Sequence, residues 1–149
     1  MKIILKKWNL KNFFRFLFLT INRGYSEEFS RNFIGYLFYQ GIKNIFIKNK
    51  DYKFAVYVNN SFAGSVALYY KKEGYELGYF ILKGFGGKGI AGKSAKKMLN
   101  FGFNKLKLNK VIATTDLDNK ASNKILRKLG FKLKKKDKKD KEVLWEKRK

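Results

Sequence analysis

The 149-residue chain contains no cysteine and no histidine. These absences exclude disulfides, thiolate nucleophiles, imidazole bases and Cys/His metal sites. Any proton moved to or from a substrate must pass through a carboxylate, tyrosine, lysine, hydroxyl, chain terminus or water. Acids are also scarce: 11 Asp and Glu stand against 35 Lys and Arg, for a formal charge of +24. Such an excess favours anionic partners, among them phosphate ligands, RNA, ribosomes and acidic proteins. Proline is absent and alanine is sparse, while Lys, Asn, Ile, Phe and Tyr abound. An AT-rich coding sequence would leave the same profile, so codon bias stands beside function as a source of the charge. No apolar run approaches the ~20 residues that a membrane helix needs. Residues 13–21 form an apolar stretch of about nine residues, interrupted by Arg15 and followed by no small-residue cleavage site. Neither a signal peptide nor a membrane segment is expected, and a cytoplasmic location follows by default.

What the chain does have is core material. Hydrophobic residues make up 45%, including 15 Phe and 9 Tyr, enough for one domain spanning residues 1–149. Residues 2–7 read as a short strand. Two helices follow: residues 10–22, capped by Asn9, and a second capped by Ser26, with Glu27 and Glu28 in its first turn and an apolar face running to Phe38. Residues 54–58 and 62–70 are β-rich and separated by Asn59 and Asn60, which tolerate the left-handed backbone of a hairpin turn. A strand at 75–82, a helix at 90–106, a strand at 111–115 and a helix at 121–129 come next. Gly130 suits a left-handed helix cap, and a terminal hairpin turning at 134–141 closes the chain. The pattern predicts an α/β (α+β) domain with a mixed, mostly antiparallel sheet of about six to seven strands and about four helices.

Between the strand at 75–82 and the helix that follows lies a glycine loop, Gly86-Gly87-Lys88-Gly89-Ile90-Ala91. A glycine loop opening a helix offers unpaired N–H groups and a positive dipole end, which together bind pyrophosphate. Gly87 to Ser94 also spells Gly-x-x-x-x-Gly-Lys-Ser, the phosphate loop of nucleoside triphosphatases, with Asp116 available as a metal-binding carboxylate. Too little chain remains after Ser94 for the further parallel strands of that fold, and the antiparallel run upstream fits it badly.

Three ungapped motifs carry a different resemblance: Glu76, Gly78 and Tyr79; then Gly87, Lys88, Gly89 and Ala91; then Asn119, Ser122, Leu126, Gly130 and Phe131. In this order and spacing they resemble the GNAT superfamily of N-acetyltransferases, most specifically the RimJ/RimL-like group (ribosomal-protein-alanine N-acetyltransferase type). A weaker likeness extends to Gly64-Ser65 and Trp8. The resemblance implies a GNAT fold, acetyl-CoA as co-substrate, no metal, and direct transfer of acetyl to a primary amine, with a protein N-terminus as acceptor. Pantetheine would pair as an added strand beside Phe80, Ile81 and Leu82. The amides of Gly87, Lys88, Gly89, Ile90, Ala91 and Gly92 would hold the pyrophosphate. Asn119 would bind pantetheine, with helix capping as its alternative role. Gly86, Gly92 and Lys93 depart from the family pattern, Lys93 adding charge and Gly92 removing a hydroxyl.

Of the eleven acids, elimination by predicted position leaves Glu76, Asp116 and Asp118 near the cleft. The resemblance implies Glu76 as a base acting through water and Ser122 as the hydroxyl that assists the leaving thiolate. Asp116 stays open as the base, or as a strand-end residue, and Asp118 as a helix cap. Many GNAT enzymes use a tyrosine acid where this chain has Leu126. Tyr25, Phe29, Tyr36 and Trp145 could line an acceptor pocket or pack in the core. Two other functions remain open. A small-amine acetyltransferase of aminoglycoside or polyamine type would need an acidic pocket, and a non-catalytic RNA- or ribosome-associated module would use the charge for phosphate contacts. Neither the acceptor nor the oligomeric state is legible from the sequence.

Overall fold

A computed structural model describes residues 1–9, 11, 14 and 50–149. The two helices expected within residues 10–38, and with them Tyr25, Phe29 and Tyr36, lie outside the described residues. The remainder forms β1 (Ile3–Lys7), β2 (Tyr52–Val58), β3 (Ser61–Lys71), β4 (Gly74–Ile81), α1 (Ile90–Asn100), β5 (Lys110–Asp116), α2 (Lys120–Lys128), β6 (Lys132–Asp137) and β7 (Glu142–Arg148). The strands make one seven-stranded sheet in the order β1-β2-β3-β4-β5-β7-β6. Every neighbouring pair is antiparallel except β4 and β5. This is the mixed, mostly antiparallel sheet that the sequence predicts. No described helix is long and apolar enough to cross a membrane.

The hairpin joining β2 and β3 turns on Asn59 and Asn60, both at positive φ, as their identity leads one to expect. Just beyond it, Val56 faces Gly64 while Tyr57 faces Phe62, so β3 carries one extra residue, a bulge at Ala63. Gly64 holds φ +151 and pairs with Ile81 of β4. A Cβ built there would lie 2.1 Å from the Phe80 carbonyl oxygen, so β3 and β4 approach this closely only because residue 64 has no side chain.

Alternation along β4 sends its side chains to two different clusters. Leu77, Tyr79 and Ile81 join the main core with Ile90 and Met98 of α1, Leu126 of α2, and Val111, Ala113, Val143 and Trp145. Phe80 and Leu82 join a smaller cluster with Ala55, Tyr57, Phe62 and Trp8 on the other face. We call these the helix face and the open-chain face. Trp145 is buried on the helix face, donating to Thr115 Oγ1 at 3.0 Å. Its role is core packing.

Two segments differ from expectation. The helix expected to run to residue 106 stays α only to Asn100 and closes with a π turn, Phe101–Lys105. The wider turn lets Phe101 meet Tyr52 and Phe54 edge-on, both at 5.4 Å, and buries Phe103. The basic run after Phe131 is strand through Asp137, and only residues 138–141 turn. Asp137 sets that boundary, its Oδ1 accepting the N–H groups of Lys139 and Asp140 at 3.1 and 3.4 Å.

Candidate active site

The parallel pair β4–β5 is bridged at only two positions, Tyr75–Val111 and Glu76–Ile112. Beyond them β4 continues along β3, and β5 continues along β7. The two strands therefore splay. The register settles which main-chain groups face the opening. The Leu82 N–H donates to the Ala63 carbonyl at 2.9 Å, and in an antiparallel ladder alternate residues point the same way. Phe80 thus directs its main chain to β3, whereas Tyr79 and Ile81 direct theirs into the gap. The Leu82 carbonyl is also engaged, accepting from Phe85 N–H at 2.8 Å. Of the three residues expected to meet pantetheine through their backbone, Ile81 has its groups aimed at the gap, Phe80 and Leu82 do not, and Tyr79 joins it.

The chain then enters the glycine loop. Gly87 and Gly89 sit at φ +73 and +70, and Gly89 is the N-cap of α1, without a side-chain capping bond and with no acid in the first turn. The first helical bond runs from Lys93 N–H to the Gly89 carbonyl at 3.1 Å. The N–H groups of Ile90, Ala91 and Gly92 therefore lie upstream of the helical ladder. Ile90 is buried and anchors the turn, while Gly87, Lys88 and Gly89 are exposed. Lys88 folds back on the loop, its Nζ donating to the Gly84 carbonyl at 3.3 Å. An uncapped, cation-flanked helix start beside strand amides aimed at a gap fits the pyrophosphate and amide arm of coenzyme A.

Glu76 stands at the narrow end of the splay on the open-chain face, partly buried and paired with Lys71 Nζ at 3.6 Å. Tyr69 faces it across the ladder. The Tyr69 ring lies over Gly78, where a Cβ would come within 2.7 Å of Cε2. The glycine of the Glu-x-Gly-Tyr motif thus makes room for an aromatic ring beside the carboxylate, a contact the sequence alone does not signal. Asp116 lies four residues beyond Ile112 on β5, about 13 Å along the strand from the level of Glu76. Its carbonyl accepts from Asn119 N–H and Asn123 Nδ2. Asp118 is not the cap of α2. That position belongs to Asn119, whose Oδ1 accepts the Ser122 N–H at 3.0 Å.

Ser122 stands in the first turn of α2, which packs on the helix face through Leu126, whereas Glu76 is on the open-chain face. Beside Ser122 is Tyr79, whose Oη is buried and makes no hydrogen bond of good geometry among the described residues. Burial pushes the Tyr79 phenol pKa up, and the nearby Ser122 hydroxyl pulls it partway back. A buried hydroxyl left unmatched costs about 1–3 kcal/mol. Leu126 is fully buried in the core.

Capping by Asn119 has its own consequence. Asn119→Ala is expected to destabilise the protein by about 1 kcal/mol through loss of the α2 cap, lowering Tm by roughly 4 °C in a thermal melt.

Ser94, the last residue of the phosphate-loop match, is fully buried, and its Oγ has no hydrogen-bond partner among the described residues. It lies on the buried face of α1. Every neighbouring pair of the sheet except β4–β5 is antiparallel, unlike the parallel sheet of that fold, so the match is a coincidence of glycine and lysine.

A seven-stranded, mostly antiparallel sheet with one splayed parallel pair ending at an uncapped glycine loop is the architecture of a GNAT acetyltransferase domain. The family model described as acetyltransferase (GNAT) domain matches residues 37–132, and the chain belongs to that family. The chain is similar to the uncharacterized N-acetyltransferase YoaA of Bacillus subtilis (strain 168), at 37% identity over 68 residues, 46% of this chain and 38% of that protein. Across the curated relatives, the matched segment spans about a third of their own length. Among solved structures, the ribosomal alpha-N-protein acetyltransferase RimL in complex with coenzyme A superposes with TM-score 0.79 at 15% identity, over 99% of this chain and 94% of that one. A GNAT-family acetyltransferase from Bacillus anthracis superposes with TM-score 0.75 at 21% identity, over 99% and 95%. At these identities the structural likeness concerns the fold.

Proposed function

We propose that the chain is an acetyl-CoA-dependent N-acetyltransferase whose acceptor is a protein N-terminal amine. The observation that carries the reaction is the splayed gap: it holds main-chain groups of Tyr79 and Ile81 along one edge, opens onto the glycine loop, and has Glu76 and Ser122 on opposite faces. Bound acetyl-CoA supplies an activated thioester carbonyl. Gly87, Lys88, Gly89, Ile90, Ala91 and Gly92 bind the pyrophosphate through their amides, with Lys93 adding positive charge. Asn119, its Oδ1 committed to the cap, has its Nδ2 left for the pantetheine arm. The gap-facing N–H groups of Tyr79 and Ile81 can stabilise the oxyanion that forms when the amine attacks. Glu76, through water, takes the proton that the amine loses, and the Ser122 hydroxyl protonates the departing thiolate.

The acceptor assignment rests on charge and on likeness. A small polycation needs an acidic pocket. Of the carboxylates on the open-chain face, Glu76 and Glu146 are each paired with basic side chains: Lys71 in the first case, Lys134 and Arg148 in the second. A neutral peptide amine has no such requirement, and RimL, which shares the fold, acts on a ribosomal protein N-terminus by its own name.

Calorimetry at physiological salt tests the reading, with acetyl-CoA and ATP-magnesium titrated in parallel. We expect binding of acetyl-CoA alone. Turnover is then compared between free N-terminal peptides, the same peptides with blocked termini, and spermidine. Acetylation of spermidine but not of the peptides would move the acceptor to the small-amine class. Salt-sensitive RNA binding with no acetyl-CoA binding would replace the enzyme with a non-catalytic module.

A further inference from the structure

We propose that Tyr69 selects the acceptor: its ring is the wall against which the first residue of the peptide packs when the amine reaches Glu76, so that small first residues are preferred to bulky ones. The inference rests on the acetyltransferase reading above, with Glu76 as base, and adds a determinant of acceptor choice that lies outside the three motifs.

Neighbouring side chains bound Glu76 on three sides among the described residues. The β3–β4 register sets Tyr69 directly opposite it, and the side chains of such a pair share a face with Cβ atoms about 4.5–5.5 Å apart. Its bridge partner on β5 is Ile112. Val111 and Ala113 belong to the helix-face core, so Ile112, itself buried, points to the open-chain face with Glu76. At the narrow end of the splay Lys71 Nζ pairs with the carboxylate at 3.6 Å. Toward the wide end the next residue on this face of β4 is Gly78, which has no side chain. The carboxylate is therefore approached along β4 from the segment where Tyr79 and Ile81 line the gap.

The Tyr69 ring lies beside that approach. A Cβ at residue 78 would fall 2.7 Å from its Cε2 and 3.4 Å from its Cδ2, so a larger residue there would push the ring away. Lys53 Nζ, paired with Asp51 at 3.1 Å, sits 5.0 Å from the ring centroid and helps to hold the ring in place. Tyr69 nevertheless stays 37% exposed, which leaves apolar surface for a ligand next to the carboxylate. An amine that passes its proton to Glu76 through one water stands within about 6 Å of the carboxylate. In a peptide the first side chain leaves from the carbon attached to that nitrogen. With the amine over Gly78, this side chain meets the Tyr69 ring. A methyl or hydroxymethyl group fits beside the ring, whereas an isobutyl or benzyl group collides with a wall that is held in place.

Tyr69→Ala and Tyr69→Phe test the proposal on peptides that differ only in a first residue of alanine, serine, leucine or phenylalanine. We measure kcat/KM for each peptide, with acetyl-CoA Kd and Tm alongside. The wild-type protein is expected to favour alanine over phenylalanine by about 10-fold or more, the usual scale of discrimination by pocket size. Tyr69→Ala should shrink that ratio at least 5-fold, and Tyr69→Phe, which keeps the ring, should preserve it. Acetyl-CoA Kd should hold in both variants, and Tm should move little for a partly exposed side chain. An unchanged ratio in Tyr69→Ala, the same loss for every peptide, or a Tyr69→Phe ratio altered as much as that of Tyr69→Ala would each overturn the role of the ring and leave the acetyltransferase reading in place. A wild-type protein that binds acetyl-CoA but acetylates none of the peptides would remove the N-terminal acceptor and the role of Tyr69 together.

Discussion

Glu76→Gln is expected to lower kcat by about 10²- to 10⁴-fold, the usual contribution of a positioned base, with acetyl-CoA Kd unchanged. The amide keeps the size of the side chain and removes its capacity to accept a proton. The pair with Lys71 is exposed on the lysine side, and such pairs contribute at most about 1 kcal/mol, so Tm should move little. The geometry separates Glu76 from its rival. Glu76 sits where the β4–β5 bridge ends, whereas Asp116 is at the far end of β5 with its carbonyl tied into the start of α2. If Glu76→Gln retains at least a third of wild-type kcat and Asp116→Asn does not, the base is Asp116 and the assignment fails.

Gly64→Ala should be the most damaging single methyl group in the described structure. The added carbon meets the Phe80 carbonyl at 2.1 Å and the Ile81 Cα at 2.9 Å, both backbone atoms that cannot rotate away, and φ +151 is strained for any side chain. We expect about 3 kcal/mol of destabilisation, a Tm lower by roughly 10 °C, and weaker acetyl-CoA binding, because the displaced segment of β4 is the one whose amides line the gap. Gly92→Ala is the control for stability. There a Cβ meets Ile125 Cγ2 at 3.8 Å, an ordinary contact, and alanine is the better helix former by roughly 0.5–1 kcal/mol. The two glycine-to-alanine changes should shift Tm in opposite directions, and a Gly64→Ala melt equal to wild type would show that the close approach of β3 and β4 does not matter.

Local chemistry explains which parts were legible in the sequence. Asn59-Asn60 and Gly130 announce their turns because few residues accept their backbone angles. The alternating strands of β2 to β4 announce themselves by period. The three motifs place Glu76, the loop and Ser122 without any knowledge of contacts. What stayed hidden depends on partners remote in sequence. The π turn after Asn100 is set by where Phe101 finds Tyr52 and Phe54. The gap-facing role of Ile81, and its absence at Phe80 and Leu82, follows from the register between β3 and β4, which a bulge at Ala63 and the bare Cα of Gly64 set. Asn119 takes the capping role that the sequence offered as one of its two alternatives.

The lysines of β6 give part of the charge a task unrelated to any substrate. Among the described residues β6 is the last strand of the sheet, paired on one side only, and its Lys132, Lys134, Lys135 and Lys136 are all exposed. An unpaired strand edge is a template on which a further strand, from a second copy or an unfolded chain, can grow. A row of like charges makes each such addition repulsive, since the newcomer from another copy would bring the same lysines. Whatever codon usage contributed to the composition, at this border the excess of cations works as a stop signal for the sheet.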